Sequence, residues 1–522
     1  LLGFKAQKNS KVTPCIQELL ETVRNTPLKI PPTCFWSRVW GEAIDSAELV
    51  LRQRLATREK DIISALLIAN SSAAKDVCLA LPIEWLFIID EHGYKVDYAK
   101  SRMRWVIFII GQYLFGLQCA AAGLYLILFR RSKCADRFAN YIYFCDLQRS
   151  NLPYSEDSND SYCIVNWYVQ NYSFEERGNW SIRHSVKSVA NRYIKNQKLE
   201  YQNFPIPTNH SFIRTIQFIY SLLVLILIAS KALLECKWWN VIPFGESVFA
   251  LLLRVQDSSL IAKEYWFHNS RIFPPLWTYE LALKSSRSVY YFYSSNMMPF
   301  ASNYKTRKLL SWYNISNWPY VLIWNLAQER FLKQSLLTRS QIQLCKPIWF
   351  ADNTSRCLYN KPYIAIFDVS PKRLCTLASI CPVVEYYSPQ VWRLFMDDIL
   401  SIACSLEIAV LYKQKRSDEH MHPICKSYFL QARNKASITF ADPDSSPEPI
   451  IFNSAAVISM PFTSTAFIAK SYGKDSAFYD PVGYYSPSDY ACGGITLLSN
   501  KYLLNKWMKS VQAIITHNTR LP

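Results

Sequence analysis

Ala455-Ala456-Val457-Ile458-Ser459-Met460-Pro461-Phe462-Thr463-Ser464-Thr465-Ala466-Phe467-Ile468-Ala469-Lys470 is the stretch on which the reading of this chain turns. Apolar and β-branched residues run into a proline, a hydroxyl cluster follows, and apolar residues at helical spacing then continue to Gly473. The pattern predicts a strand, a tight turn and a helix N-terminus. A helix leaves its first N–H groups unpaired and its positive dipole end exposed there. Two readings are open for Thr463, Ser464 and Thr465: seating a phosphate or carboxylate, or ordinary N-capping, which stabilises by about 1 kcal/mol and needs no ligand.

Working outward, short apolar strands alternate with helical patterns from Trp239 onward. Strands are expected at Ser288–Tyr293, Tyr320–Trp324, Pro347–Phe350, Tyr363–Phe367, Ile408–Tyr412, Ile438–Phe440, Ala456–Ile458 and Ala477–Tyr479, with the clearest helices at Pro389–Leu406 and Lys426–Arg433. Such alternation implies an α/β fold with a parallel, doubly wound sheet. Ligands of such sheets bind at the carboxyl ends of the strands, where the opening stretch falls.

The chain has 522 residues, enough for two to four units at about 100–200 residues each. Charged residues make up 19%, below the usual quarter or so of soluble domains, while half of the residues are hydrophobic. A formal net charge of +18 favours anionic lipid or phosphate-bearing ligands. The basic residues are scattered, with no stripe for nucleic acid, so no nucleic-acid partner is expected. Fifteen cysteines, none in a C-x-x-C pair, read as buried thiols of a reducing compartment. Leu1 to Lys11 lacks the long apolar core of a signal peptide.

Trp105 to Phe129 is an uncharged run between Lys100, Arg102, Arg104 and Arg130, Arg131, Lys133; at roughly 25 residues it is long enough to span a bilayer. Ile216 to Ser230, about 15 residues, is short for a span and suits an interfacial or re-entrant segment, with Trp238-Trp239 at headgroup level. A buried core helix is the other reading of each. The expected organisation is a helical region over 1–100, membrane-associated segments with a polar insert over 101–238, the remainder of an N-terminal half over 239–317, and a C-terminal half over 318–522.

Polar residues just after strands converge on one rim: Asp352, Asp368, Lys413 and Lys415, Asp442 and Asp480. Cations and N–H groups there could neutralise a leaving phosphate while a carboxylate acts as base or nucleophile. Asp442-Pro443-Asp444 reads as a turn and His420-Met421-His422 as a loop, so no metal site is expected. P-loop, G-x-G-x-x-G, G-x-S-x-G and H-E-x-x-H motifs do not occur.

Phe273-Pro274-Pro275-Leu276-Trp277-Thr278-Tyr279-Glu280, Tyr291 to Asn296, Pro347 to Phe350, Ile366 to Pro371, Ile458 to Ala466 and Tyr479-Asp480-Pro481 together resemble a bacterial family of surface-polysaccharide biosynthesis proteins marked by a Pro-Phe-Thr-Ser motif. The resemblance spans roughly residues 80 to 510. It implies a GT-B-like fold, two Rossmann-like domains facing a cleft, and a metal-independent glycosyltransferase without a cofactor. The hydroxyl turn is similar to that of enzymes using CMP-activated acidic sugars, such as Kdo and sialyl transferases. On this resemblance Pro461, Phe462, Thr463, Ser464, Thr465, Lys413, Lys415 and His422 bind the donor, and Asp352, Asp368 and Glu280 are the catalytic candidates. Pro274 stands where the family pattern leads one to expect Arg. The implied partners are a nucleotide-sugar donor, a glycan or lipid-linked acceptor, and the cytoplasmic face of the inner membrane, met peripherally or re-entrantly. A non-enzymatic assembly factor keeping the same fold is the alternative.

Overall fold

The computed structural model describes residues 46–71, 76–129, 140–147, 164–171, 180–187, 192–194, 197–207, 211–268, 273–292, 318–335, 340–345, 362–369, 388–414, 422–432, 438–442 and 447–519, with parts of 16–28 and a few single positions. The chain opens with helices α1 (Ser46–Ser71), α2 (Ile83–Glu91) and α3 (Tyr98–Phe129). Strand β1 (Tyr141–Phe144), α4 (Ile164–Asn171), β2 (Ser181–His184), β3 (Arg192–Ile194) and β4 (Gln197–Tyr201) follow. Next come α5 (Phe212–Leu234), α6 (Phe244–Arg254), β5 (Glu264–His268), β6 (Arg287–Tyr291), β7 (Tyr320–Ile323), α7 (Leu326–Ser335) and β8 (Gln341–Leu344). These eight strands form one sheet in the order β3-β4-β2-β1-β5-β6-β7-β8, parallel except for β3 against β4.

A second sheet is wholly parallel. It is built from β9 (Tyr363–Phe367), α8 (Pro389–Ser405), β10 (Ala409–Lys413), α9 (Pro423–Ala432), β11 (Ile438–Phe440), α10 (Pro447–Asn453), β12 (Ala456–Ser459), α11 (Ser464–Ser471), β13 (Asp475–Tyr479), β14 (Thr496–Leu498) and α12 (Lys501–Thr519). Its order, β11-β10-β9-β12-β13-β14, winds outward from β9 in both directions, so the crossover reverses between β9 and β12. The first sheet reverses in the same way between β1 and β5. The expected pair of Rossmann-like α/β sheets is therefore present. Ser388 starts α8 by accepting a hydrogen bond from the Val391 amide, and Pro389 fits the first turn because its missing N–H costs nothing there. β9, buried at all five positions, is the continuous apolar run that a central parallel strand requires.

The second sheet follows the expected strands closely, although Pro347–Phe350 lies outside the described residues. The first half differs. The stretch expected as a polar insert supplies β1 to β4, and β7 and β8 pair with β6, so the boundary expected at 318 moves beyond residue 344. Charged residues hid β2 and β4: Arg183 lies over the Tyr141 ring at 3.7 Å and donates to Glu200 at 3.0 Å.

α3 and α5 are longer than the uncharged runs that announced them, because α3 includes Lys100, Arg102 and Arg104 and α5 includes Arg214 and Lys231. By length and composition both could cross a membrane. They pack antiparallel: Trp105 meets Trp238 edge-on at 5.5 Å, and the Tyr113 and Ser230 hydroxyls are 2.7 Å apart. α6 closes against α3 where glycine permits it, since a Cβ on Gly116 would stand 2.0 Å from Cδ1 of Phe244. Gly116→Ala is therefore expected to lower unfolding free energy by about 1–3 kcal/mol, with Phe244→Leu in the same chain restoring part of it. Denaturant titration checks this, and an unchanged midpoint for the single variant would contradict the packing.

Candidate functional site

The carboxyl-end rim of the second sheet carries the opening stretch at its reversal point. Lys413, Phe367, Ser459 and Phe478 stand level on adjacent strands. The Met460 amide extends the β9–β12 pairing by one bond, donating to Phe367 O at 3.0 Å. Beyond it the chain reverses at Phe462, whose φ of 64° lies in the left-handed region. The ring is buried and packs on Tyr485 at 4.7 Å and Phe478 at 5.7 Å. Asp480, fully buried, accepts from the Val482 and Tyr485 amides at 3.1 and 2.8 Å and so shapes the loop that presents Tyr485.

α11 then starts at Ser464, with Thr463 at the cap position. Thr463 does not cap the helix with its side chain; its hydroxyl donates to Met460 O at 3.0 Å. The Thr465 hydroxyl lies 2.8 Å from that of Ser459 and 3.3 Å from that of Thr463. The hydroxyls thus bond back into the turn and stiffen it, while Thr463, Ser464 and Thr465 are each partly exposed. Side-chain capping by Thr463 is not the geometry found, and the helix begins just past β12, at the reversal point of the sheet.

The other expected residues fall as follows. Asp368 directly follows β9, beside this turn, and is buried; its Oδ2 accepts from Trp392 Nε1 and from the Tyr412 hydroxyl, both at 2.8 Å. Val369 N reaches the Met460 sulfur at 3.3 Å, tying the segment after β9 to the turn. Lys413 ends β10, mostly buried, with Nζ donating to Gln414 O at 3.1 Å. His422 precedes α9 and its Nδ1 accepts from the Ile424 amide. Glu280 belongs to the first half, where its two oxygens accept from Arg254 Nε and Nη2 at 3.1 and 2.6 Å. The structure therefore brings Asp368, Lys413 and the Pro461–Thr465 turn to one rim and leaves Glu280 in a buried clamp elsewhere. Asp352 and Lys415 lie outside the described residues. Among the described residues no group of three or more His, Cys, Asp or Glu side chains could hold a metal ion.

A second polar rim was missed in the sequence. At the first sheet's reversal point Asp146, just past β1 with φ 59°, takes Arg271 in a bidentate pair at 2.5 and 3.1 Å. His268 closes β5, and its Nε2 lies 3.1 Å from Asp146 O. His184, at the end of β2 and fully buried, has Nδ1 accepting from the Val186 amide, and burial lowers its pKa from 6.5 to about 4. The signal available was the run Tyr141-Ile142-Tyr143-Phe144 ending in Cys145-Asp146, a strand followed by a carboxylate.

The unfolded chain binds a proton on His184 near pH 6.5 and the folded chain only near 4, so this group's stabilisation is complete above 6.5 and is lost as pH falls toward 4. Between pH 7 and pH 5 the wild type should lose roughly 2 kcal/mol more than His184→Asn, measured by urea titration. Equal losses would contradict the buried neutral ring.

No curated protein matches the chain. Solved structures that resemble it include Methanocaldococcus jannaschii UDP-GlcNAc 2-epimerase in complex with UDP-GlcNAc and UDP, at 10% identity over 72% of this chain and 92% of the other, with a TM-score of 0.36. An E. coli trehalose-6-phosphate structure bound with UDP-2-fluoro glucose matches at 8% identity over 73% and 96%, TM-score 0.38. A UDP-forming trehalose-phosphate synthase from Burkholderia vietnamiensis matches at 9% over 74% and 92%, TM-score 0.34. Likenesses of this size add nothing to the fold already read from the strand order. The family model described as polysaccharide biosynthesis PFTS motif protein matches residues 220–508, more than half of the chain and the whole of the second sheet. The Pro461-Phe462-Thr463-Ser464 turn at the reversal point is thus the mark of a family, and the chain belongs to the PFTS-motif proteins of polysaccharide biosynthesis.

Proposed function

We propose that the protein is a glycosyltransferase that moves a sugar from a nucleotide-activated donor onto a growing surface glycan or its lipid-linked precursor. The observation that carries this reading is the Pro461–Thr465 turn, which sets the first amides of α11 at the reversal point of a parallel sheet. Transfer breaks the bond between the sugar's anomeric carbon and the donor phosphate oxygen. The charge left on phosphate is what helix amides, hydroxyls and a lysine are suited to receive. In this reading Ser464 and Thr465 hold that phosphate, Phe462 fixes the turn, and Lys413 with Lys415 supplies positive charge in place of a metal. The donor is CMP-linked in its finer form, with His422-Pro423 beside the lysine strand as the supporting feature. Asp368 holds Trp392 and Tyr412 in place under the rim, a positioning role, and Asp352 is the carboxylate assigned to proton transfer. The enzyme works at the cytoplasmic face of the membrane, where nucleotide-linked donors meet lipid-linked acceptors.

One observation favours the non-enzymatic assembly factor: the two described carboxylates among the catalytic candidates, Asp368 and Glu280, are both engaged in buried bonds. Asp352→Asn separates the readings, since an assembly factor would keep full glycan output in cells and the transferase would lose it.

Donor class is tested by thermal unfolding with CMP, UMP, UDP and GDP. A ligand at a hundredfold its Kd stabilises by about 2.7 kcal/mol, and this is expected for CMP alone. Ser464→Ala combined with Thr465→Ala should weaken binding roughly tenfold or more, each lost bond being one to a charged group. A melting temperature unmoved by every nucleotide would overturn the proposal.

A further inference from the structure

The outer faces of α3 and α5 are inverted for a water-soluble fold. Their inner faces carry small and apolar residues that pack against each other and α6: Gly116, Cys119 and Gly123 on α3, Phe218, Leu222 and Ala229 on α5. Their outer faces are also apolar yet exposed. On α3 these are Met103, Ile107, Ile110, Leu114, Tyr125 and Leu128, and on α5 Ile213, Ile216, Tyr220, Leu223, Leu227 and Leu234. Spacings of three, four, seven and eleven, all near whole helical turns, place each set on one side of its helix. Neither helix contains an aspartate or glutamate.

Two features argue against crossing. α5 leaves β4 and its chain returns through α6 to β5, and both strands belong to the same sheet, so a crossing by α5 demands an equal return. α6 has 11 residues, about 16 Å, roughly half of a hydrocarbon core. The middle of α3 is also flanked by the charged helix α1, with Arg58 over the Phe108 ring at 5.1 Å and Arg54 over that of Phe115 at 5.9 Å. A span would carry those guanidinium groups to mid-bilayer, where charge is strongly disfavoured.

Building on the membrane-face reading, we propose that α3 and α5 lie flat in the headgroup and upper acyl zone of an anionic bilayer, apolar stripes down, without crossing it. The occupant follows from charge: Arg102 and Arg104 stand exposed at one end of α3, and the sequence places Arg130, Arg131 and Lys133 directly after its other end. Trp105, Trp238 and Trp239, all half-buried, suit the same depth.

The full chain is tested in two ways. In flotation with phosphatidylcholine vesicles, binding should appear only when phosphatidylglycerol is included; Leu114→Glu with Leu223→Glu should abolish it without lowering the melting temperature, and Arg102→Gln should weaken it about fivefold. An epitope inserted after Gly93, in the exposed turn before α3, should be reached by protease only after spheroplasts are opened. Cleavage in intact spheroplasts would show a crossing and overturn the flat arrangement while leaving the membrane-face reading in place. Absence of flotation together with recovery of the chain in the soluble fraction would overturn both.

Discussion

The candidate site depends on one backbone torsion, the left-handed φ of Phe462. A non-glycine residue in that region costs on the order of 1–2 kcal/mol, and the cost is met here by packing. The Phe462 ring is clamped by Tyr485 and Phe478, and Tyr485 is in turn presented by a loop gathered around the buried carboxylate of Asp480. Had the chain continued extended past Ser459, α11 would not begin beside the gap between β9 and β12. The hydroxyls of Ser459, Thr463 and Thr465 then bond among themselves and to Met460, which holds the turn.

The two sheets differed in how openly the sequence announced them, and the difference is physical. β9, β10 and β12 are short runs dominated by aliphatic and aromatic residues, so they were legible almost residue by residue. β2 reads Ser-Ile-Arg-His and β4 Gln-Lys-Leu-Glu-Tyr; Arg183 and Glu200 pair across these two strands, and no hydropathy pattern betrays that. Losing those strands also concealed the rim formed by Asp146, Arg271 and His268. In the second sheet the turn and Asp368 were found by position. What the sequence could not show was engagement, because Trp392 and Tyr412 hold Asp368, and Arg254 holds Glu280, from distant positions in the chain.

Hydropathy located α3 and α5 but had no means of saying how they meet a membrane. Connectivity bears on that for α5, which lies between β4 and β5 of one sheet, so that a crossing by α5 would require a return. The arrangement places an apolar, acid-free surface on the same half as the Asp146–Arg271–His268 rim. An acceptor drawn from the bilayer and a donor seated on the second sheet would then approach from different halves of the chain, which is the division of labour that two parallel sheets with separate reversal points permit.

The central claim is that the first turn of α11 seats the donor phosphate, and amide hydrogen exchange with and without saturating nucleotide tests it most directly. The account predicts that the largest nucleotide-induced slowing falls on the peptide covering Thr463 to Ala466. Protection confined to the first sheet, or none in either half, would contradict it.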